Sequence, residues 1–212
     1  MASLQRTIFG GGEPALDGGA PTERVDLDER SWVDVARGWL LGADTLFDAL
    51  AASVQWRHGR RWMYDRIVDE PRLTRAYGRD DALPHPVLDE IRAALEHGYG
   101  AVFGGVFLNY YRDGRDSVAL HRDRELRESE AGLVAIVTLG ATRAFLFRPR
   151  SGGRSIDVRP GSGDLIVMRG RCHRDWEHGV PKATRAGPRI SVSARSPAVT
   201  SWAPPSRWTV SR

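Results

Sequence analysis

The sequence predicts an α+β fold, an antiparallel jelly roll (double-stranded β-helix) with N-terminal helices packed on one side. Three observations lead to this prediction. Apolar residues follow a helical spacing before residue 100 and a strand-like spacing from residue 101 onward. The later apolar segments are short, and turns that contain glycine or proline separate them. Strand–helix–strand alternation and internal repeats are both lacking in the sequence, which disfavours a parallel sheet.

Length and composition predict one main domain with extensions. A chain of 212 residues with 41% apolar content can bury a sizeable core. Composition divides it into an N-terminal arm rich in glycine, proline and acids (1–30), a helical and substrate-recognition region (31–100), the jelly-roll core (101–200) and a C-terminal tail (201–212).

Three helices are predicted upstream of residue 100. The first opens at residues 31–34, with Ser31 as its N-cap. The second begins near Ala43, where apolar residues recur at helical spacing. The third runs from about residue 85 to residue 97 and stops at Gly98.

The strands are predicted in the second half of the chain. Each candidate is short and apolar or alternating, as expected for a jelly roll. The segments are 102–111, 133–139, 143–148, 155–158, 165–168 and 189–195.

The apolar runs and the cysteine content predict where in the cell the protein is located. The longest apolar runs, such as 133–139, are far too short to cross a membrane, and the first residues lack the apolar run of a signal peptide. Cys172 is the single cysteine, which excludes an intrachain disulfide and fits a reducing compartment. We therefore expect a cytoplasmic protein that does not associate with membranes. A monomer is expected as well.

The positive charge of the chain is carried almost entirely by arginine. Of 31 basic residues only Lys182 is lysine, and the net charge is +4. One interpretation is a lineage bias towards arginine. The other is contact with phosphates, whose oxygens match planar guanidinium groups.

A histidine, an aspartate and a second histidine form a candidate metal site. His121 and Asp123 are two residues apart in an extended segment, so both side chains point to one side. His178 is the preferred distal ligand, and His173, which lies between two arginines, competes with it. Two imidazoles and one carboxylate form the facial triad of non-haem Fe(II) oxygenases. Tetrahedral zinc with a bound hydroxide is the alternative metal chemistry.

A candidate co-substrate pocket accompanies the metal ligands. Arg189 and Arg195 lie six residues apart on one strand, on one face, with Cα atoms about 20 Å apart. Their side chains can lean towards each other and leave a gap about as long as a five-carbon diacid. Asn109 and Tyr111 also share a face and can donate to carboxylate oxygens. Alternatively, Tyr111 and the arginines are ordinary strand residues.

Taken together, these motifs resemble the AlkB-type Fe(II)/2-oxoglutarate-dependent dioxygenases, and in particular a bacterial AlkB-like subgroup. The likeness spans about residues 101–196 in the family's order, and two upstream segments extend it. The matching segments are Asn109-x-Tyr111, Asp113-Gly114, His121-x-Asp123-x-Glu125, Thr138–Ala141 before Phe145–Arg148, His178, Arg189-x5-Arg195, Met63–Arg66 and Pro71–Gly78.

The resemblance implies a role for each matching residue. It implies that Fe(II) is held by His121, Asp123 and His178. It implies that 2-oxoglutarate is held by Asn109, Tyr111, Arg189 and Arg195, with Arg189 on the distal carboxylate. Glu125 occupies the acidic position that, in the family, approaches the exocyclic edge of the target base.

The activity that the resemblance implies is oxidative demethylation of N-alkylated nucleobases in DNA or RNA, that is, alkylation repair. O2 and 2-oxoglutarate are consumed, and formaldehyde, succinate and CO2 are released. A base inside a duplex cannot reach the metal, so the expected partner is a nucleic acid that is single-stranded or has a flipped base. The lesion, and DNA versus RNA, are not predicted.

Substrate recognition is predicted upstream of the jelly roll. Trp62, Tyr64 and Tyr77 lie among several arginines, a pattern that suits base stacking with phosphate contact. Alternatively, these aromatics belong to the core. The segment after Gly78 is shorter than in better-known repair members, and Ser191 stands where many relatives carry Asn. Two alternatives therefore stay open, the same chemistry on a protein or small-molecule substrate and a catalytically silent nucleic-acid-binding module.

Overall fold

The computed structural model describes residues 10–63 and 65–196. These residues form fourteen strands, three α-helices and one 3-10 turn (Arg124–Leu126). The helices are α1 (Ala43–Ser53), α2 (Val87–Tyr99) and α3 (Cys172–Asp175). The strands are β1 (Ala15–Leu16), β2 (Thr22–Asp26), β3 (Ser31–Ala36), β4 (Leu40–Leu41), β5 (Arg57–Met63), β6 (Arg66–Tyr77), β7 (Val106–Tyr111), β8 (Val118–His121), β9 (Leu133–Gly140), β10 (Leu146–Pro149), β11 (Ile156–Asp157), β12 (Leu165–Gly170), β13 (Trp176–Val180) and β14 (Arg189–Ser196).

Two antiparallel sheets form the jelly roll. The larger sheet has eight strands in the order β2-β3-β12-β9-β14-β7-β6-β5, and the smaller has four in the order β11-β10-β13-β8. A core of buried side chains from both sheets lies between them, with Val134 and Ile136 from the larger sheet meeting Phe147 and Val180 from the smaller. The predicted fold class is confirmed.

Alternation along the strands produces two cores. On β9, Val134 and Ile136 face the smaller sheet, whereas Ala135 and Val137 belong to a second core on the other side of the larger sheet. Successive side chains of a strand point to opposite faces, so one apolar strand serves both cores. This explains why residues 133–140 are buried throughout.

The helices cover the outer face of the larger sheet. Leu46 and Leu50 of α1 and Leu88 and Leu95 of α2 are buried in the core there. Both helices precede most of the jelly roll in sequence, as predicted. Within the described ranges, no helix is long and apolar enough to cross a membrane.

Two of the predicted helix features are wrong. Residues 31–34 do not open a helix, because they belong to β3, which pairs with β2 and β12. The β-branched Val33 and Val35 alternate onto the core between the sheets, and this tertiary pairing outweighs the capping signal at Ser31. The third helix continues past Gly98 to Tyr99, and Gly100, with a φ of 57°, is its C-cap.

The described part of the predicted N-terminal arm contributes strands to the fold. β1 pairs with β4, and β2 is the edge strand of the larger sheet. At the opposite edge, β5 and β6 form a long hairpin that the sequence patterns did not indicate. Its register shifts between His58 and Arg60, which interrupts the regular alternation there.

Candidate metal and co-substrate site

Register between two strands brings the two histidines of the predicted triad together. His121 at the end of β8 pairs directly with His178 of β13, and their ring centroids are 4.5 Å apart. The Nδ1 atom of His121 lies 2.9 Å from the carbonyl oxygen of Ala119. If Nδ1 donates to that carbonyl, Nε2 is left as the lone-pair nitrogen, the usual arrangement for a metal-binding histidine.

Asp123 follows β8 in extended backbone and is buried beside the two histidines. Its Oδ2 atom lies 3.5 Å from Nε2 of His178. Its Oδ1 atom accepts two hydrogen bonds from Arg195, at 2.9 Å from Nε and 2.7 Å from Nη2. One ligand atom from each of His121, Asp123 and His178 lies within 4.8 Å of the others.

The protonation states of these residues suit a cation. Burial by itself would raise the pKa of Asp123, but the positive charge of Arg195 and its two hydrogen bonds favour the carboxylate, and the pKa lies below its ordinary value. Burial lowers the pKa of His178 to about 3, and the neighbouring His121 acts in the same direction. At neutral pH the site therefore offers a carboxylate and a neutral imidazole, the forms in which these groups bind metal.

An unsatisfied oxygen indicates that a metal fits here. Oδ2 of Asp123 is buried and, among the described residues, has no hydrogen-bond partner. A buried carboxylate oxygen without a partner is costly, and a bound cation would satisfy it. The described residues supply three clustered ligands, which suits an open site for Fe(II) and not the four-ligand structural zinc site.

His173, the competing histidine, lies next to the triad without joining it. The structure places His178, and not His173, opposite His121. His173 is buried in α3, with Nδ1 3.9 Å from Oδ2 of Asp123. Burial lowers its pKa to about 4, so the ring is neutral at neutral pH. Neither ring nitrogen has a hydrogen-bond partner in the described part of the chain.

A pocket between the sheets opens beside the triad. Asn109 and Tyr111 of β7 lie on one face, as predicted, and both line it. Nε of Arg72 donates to the amide oxygen of Asn109 at 2.7 Å, which orients that amide. The lining residues are Arg72, Phe107, Asn109, Tyr111, Val118, His121, Val134, Ile136, Phe145, His178, Ser191, Ser193 and Arg195.

Arg189 carries a buried charge next to this pocket. Its side chain is fully buried, with its guanidinium carbon 6.0 Å from the centre of the Tyr111 ring. Nη2 donates to Thr138 Oγ1 at 3.2 Å and Nε to Ser191 Oγ at 3.4 Å. Burial lowers the pKa of Arg189 to about 10, so the group is still charged at neutral pH.

The surroundings of Arg189 suit an anion. Its Nη1 atom is buried without a hydrogen-bond partner, and no carboxylate of the described residues forms an ion pair with it. A buried cation is costly unless an anion neutralises it. Together with Arg195 at the metal end, Arg189 makes the residues present fit a dicarboxylate such as 2-oxoglutarate.

The predicted substrate residues are less clearly placed. Glu125 is exposed on the 3-10 turn that directly follows Asp123. Tyr77 packs on the helix side of the larger sheet. Phe107 and Asn109 of the paired strand β7 line the pocket on the opposite face, so Tyr77 is not brought to the site. Trp62 lies near the end of β5, and Tyr64 lies outside the described residues.

Two residues near the site were given no role by the sequence patterns. Phe145 stacks on His178, with ring centroids 5.8 Å apart and an interplanar angle of 11°. Arg143 is buried and donates to the carbonyl oxygens of Asp113, Asp116 and Pro181. The sequence prediction treated Arg143 and Phe145 as ordinary residues of a strand over 143–148. In the structure β10 begins only at Leu146, so both residues precede the strand.

Comparison with known proteins gives matches that agree with this geometry. The family model described as the 2OG-Fe(II) oxygenase superfamily matches residues 70–196. Alpha-ketoglutarate-dependent dioxygenase alkB homolog 3 of Bos taurus is 30% identical over 178 residues, which cover 73% of this chain and 61% of that protein. DNA oxidative demethylase ALKBH2 of Mus musculus is 29% identical and covers 90% of this chain and 93% of that protein.

Solved structures show the same fold at lower identity. A prolyl hydroxylase from Trichoplax adhaerens, in complex with a peptide fragment, has a TM-score of 0.59 and 12% identity over 80% of this chain and 87% of that one. A prolyl-4-hydroxylase from Pseudomonas putida has a TM-score of 0.53 and 16% identity over 78% and 92%. The chain spans 61% of the length of the alkB homolog 3 proteins from Bos taurus and Homo sapiens.

Proposed function

The chain belongs to the 2OG-Fe(II) oxygenase superfamily, which uses Fe(II), 2-oxoglutarate and O2, and we propose that it oxidatively demethylates N-alkylated nucleobases in DNA or RNA. The products are then formaldehyde, succinate and CO2. The nucleobase part of the proposal draws on the curated relatives, one of which is named a DNA oxidative demethylase. We keep a cytoplasmic location and a monomeric state as predictions.

One observation carries the chemical part of the proposal. Among the described residues, Oδ2 of Asp123 beside the two histidines and Nη1 of Arg189 are both buried without a hydrogen-bond partner. Arg189 contacts Tyr111 and Ser191, which line the pocket beside the histidines. The Asp123 oxygen calls for a cation and the Arg189 nitrogen for an anion. Fe(II) with 2-oxoglutarate supplies both.

We assign His121, Asp123 and His178 to Fe(II), and Asn109, Tyr111, Arg189 and Arg195 to 2-oxoglutarate. When bound together, iron and 2-oxoglutarate activate O2 for oxidation of a C–H bond. Arg189 neutralises the distal carboxylate. Asn109, whose amide Arg72 orients, and the Tyr111 hydroxyl donate to carboxylate oxygens.

Orientation and exclusion of water are the tasks of the surrounding side chains. Arg195 fixes the carboxylate of Asp123 through two hydrogen bonds. Phe145 stacks on His178 and shields that ligand from solvent. The triad is largely buried, so a nucleobase has to leave the base stack to reach it. Exposed Glu125 is the assigned contact for the exocyclic edge of that base.

The experiment that tests the proposal is mass spectrometry of N-methylated single-stranded DNA and RNA oligonucleotides. The protein is incubated in air with Fe(II) and 2-oxoglutarate, and succinate is quantified in the same samples. His121→Ala serves as the inactive control. Loss of methyl groups with an equal amount of succinate is the expected result, and the oligonucleotide that reacts identifies the lesion.

Two other results would contradict parts of the proposal. Succinate without loss of methyl groups would keep the dioxygenase chemistry and move the substrate to a protein side chain or a small molecule. Absence of both products, with retained binding of the oligonucleotides, would favour a catalytically silent binding module.

A further inference from the structure

The short helix α3 holds His173 in a fixed position beside the triad. Gly170 begins the turn into the helix with a φ of 61°, which suits glycine. The Sγ atom of Cys172 donates to the carbonyl oxygen of Trp32 at 3.3 Å. Arg171 and Asp175 form an ion pair across one turn, at 2.7 Å. These contacts fix α3 on both sides of His173.

The ring of His173 is turned towards the carboxylate of Asp123. Nδ1 lies 3.9 Å from Oδ2, which accepts no hydrogen bond from the described residues, whereas Oδ1 already accepts two from Arg195. In the part of the chain that the structure describes, both ring nitrogens of His173 also lack a partner. A buried donor and a buried acceptor, each unsatisfied, thus face each other across a gap slightly longer than a hydrogen bond.

We propose that His173 is a positioning residue that donates a hydrogen bond from Nδ1 to Oδ2 of Asp123 when the metal is bound. A carboxylate oxygen has two lone pairs, so Oδ2 can bind the metal with one and accept from His173 with the other. With Arg195 on Oδ1 and His173 on Oδ2, the carboxylate cannot rotate. This inference rests on the proposed Fe(II) site.

A neutral imidazole suits this role better than a cation would. A charged histidine at this position would repel the metal, whereas a neutral ring donates from one nitrogen without opposing the ion. Groups that orient metal ligands in this way typically contribute about 10–100-fold to metal affinity. Loss of His173 should therefore weaken metal binding without removing a ligand.

The test is a metal titration of the metal-free protein without any nucleic acid. Mn(II) binding is followed by calorimetry for the wild type, His173→Leu and His173→Asn. Leucine fills the space without a donor, and the amide nitrogen of asparagine can occupy about the position of Nδ1. We expect the affinity of His173→Leu to fall about 10–100-fold, and His173→Asn to recover more than half of the lost binding free energy.

Two outcomes of this titration would overturn the inference. If the Mn(II) affinity of His173→Leu falls by less than about tenfold, His173 does not orient the carboxylate. Recovery of less than half of the loss by asparagine would mean that His173 acts through packing alone. A wild-type protein that binds no Mn(II) would instead refute the proposed metal site itself.

A measurement on the wild type keeps the inference testable if the leucine variant does not fold. Two-bond 1H–15N spectra of the protein loaded with diamagnetic Zn(II) report which nitrogen of His173 carries the proton. We expect the neutral ring to be protonated on Nδ1. A ring protonated on Nε2 alone could not donate to Asp123, and would overturn the inference.

Discussion

Charged side chains in the interior between the two sheets have different surroundings from those on the outer surface of the smaller sheet. In the interior, Asp123 and Arg189 are buried, and the surrounding groups orient them. On the outer surface, Arg122 and Arg150 each donate at 3.4 Å to the carbonyl oxygen of Arg174. Within the described residues neither of these two arginines has an ion pair.

Screening of charges by solvent explains this difference. A charge in the interior is weakly screened, so each one has to meet a partner or a ligand. Charges on the surface are screened by water and salt, so they can remain unpaired until a partner binds. We therefore expect the interior to determine the reaction and the surface to affect binding of the proposed nucleic acid. Changes in the two regions should have separable effects.

The largest expected effect is loss of turnover when a triad ligand is removed. His121→Ala, Asp123→Ala and His178→Ala should each reduce succinate formation at least about a hundredfold, because the metal loses one of three protein ligands. The exposed His97 on α2 provides a matched control, since His97→Ala should leave the rate unchanged. A triad variant that retains the wild-type rate would contradict the assignment.

His173→Ala should not abolish turnover when Fe(II) is saturating, because His173 is assigned no bond to the metal. Measurement of succinate against Fe(II) concentration checks this. Complete loss at all concentrations would mean that His173, and not His178, is the distal ligand.

The next effect concerns Arg189 and has opposite signs for binding and stability. Arg189→Met should weaken 2-oxoglutarate binding about 10–100-fold, because a charged hydrogen bond contributes about 1.5–3 kcal/mol. Without 2-oxoglutarate the variant should be at least as stable as the wild type in urea, because an unpaired buried cation is removed. Lower stability together with unchanged binding would refute the assignment.

A pH effect on the metal-free protein should come from the buried histidines. His173 and His178 have pKa values lowered from 6.5 to about 4 and about 3 in the folded protein. As the pH falls, these histidines are therefore protonated at a higher pH in the unfolded state than in the folded state. Stability should therefore be lost from about pH 6.5 downward, by about 2 kcal/mol per histidine between pH 7 and pH 5.

Urea unfolding at the two pH values measures this loss. His173→Asn should remove about half of it, because asparagine does not titrate. An equal loss in the wild type and in His173→Asn would show that other groups cause the pH dependence.

The smallest expected effect belongs to the outer surface. Arg122→Gln combined with Arg150→Gln should weaken single-stranded DNA binding and lower the slope of log K against log salt by about 1.4, which is about 0.7 per lost phosphate contact. Fluorescence anisotropy at several salt concentrations measures the slope. Mn(II) affinity should not change, and an unchanged slope would show that these arginines do not contact phosphate.

Sequence patterns predicted the elements that depend on local periodicity or on spacing within one strand. Helix α1 follows from apolar residues at helical spacing, and the strands of the jelly roll follow from short apolar runs. His121 and Asp123, two residues apart, and Arg189 and Arg195, six apart, could likewise be paired, because alternation along a strand fixes a shared face.

Other features depended on contacts between segments far apart in the chain. Residues 31–34 became a strand because β2 and β12 pair with them, and Tyr77 faces the helices because β6 pairs with β7. The closeness of His173 to Asp123 depends on how α3 packs. Local sequence reports the face on which a side chain lies, because backbone geometry repeats at short range. Which segment meets that face is decided by packing of the whole chain, because only burial of both cores at once selects one arrangement.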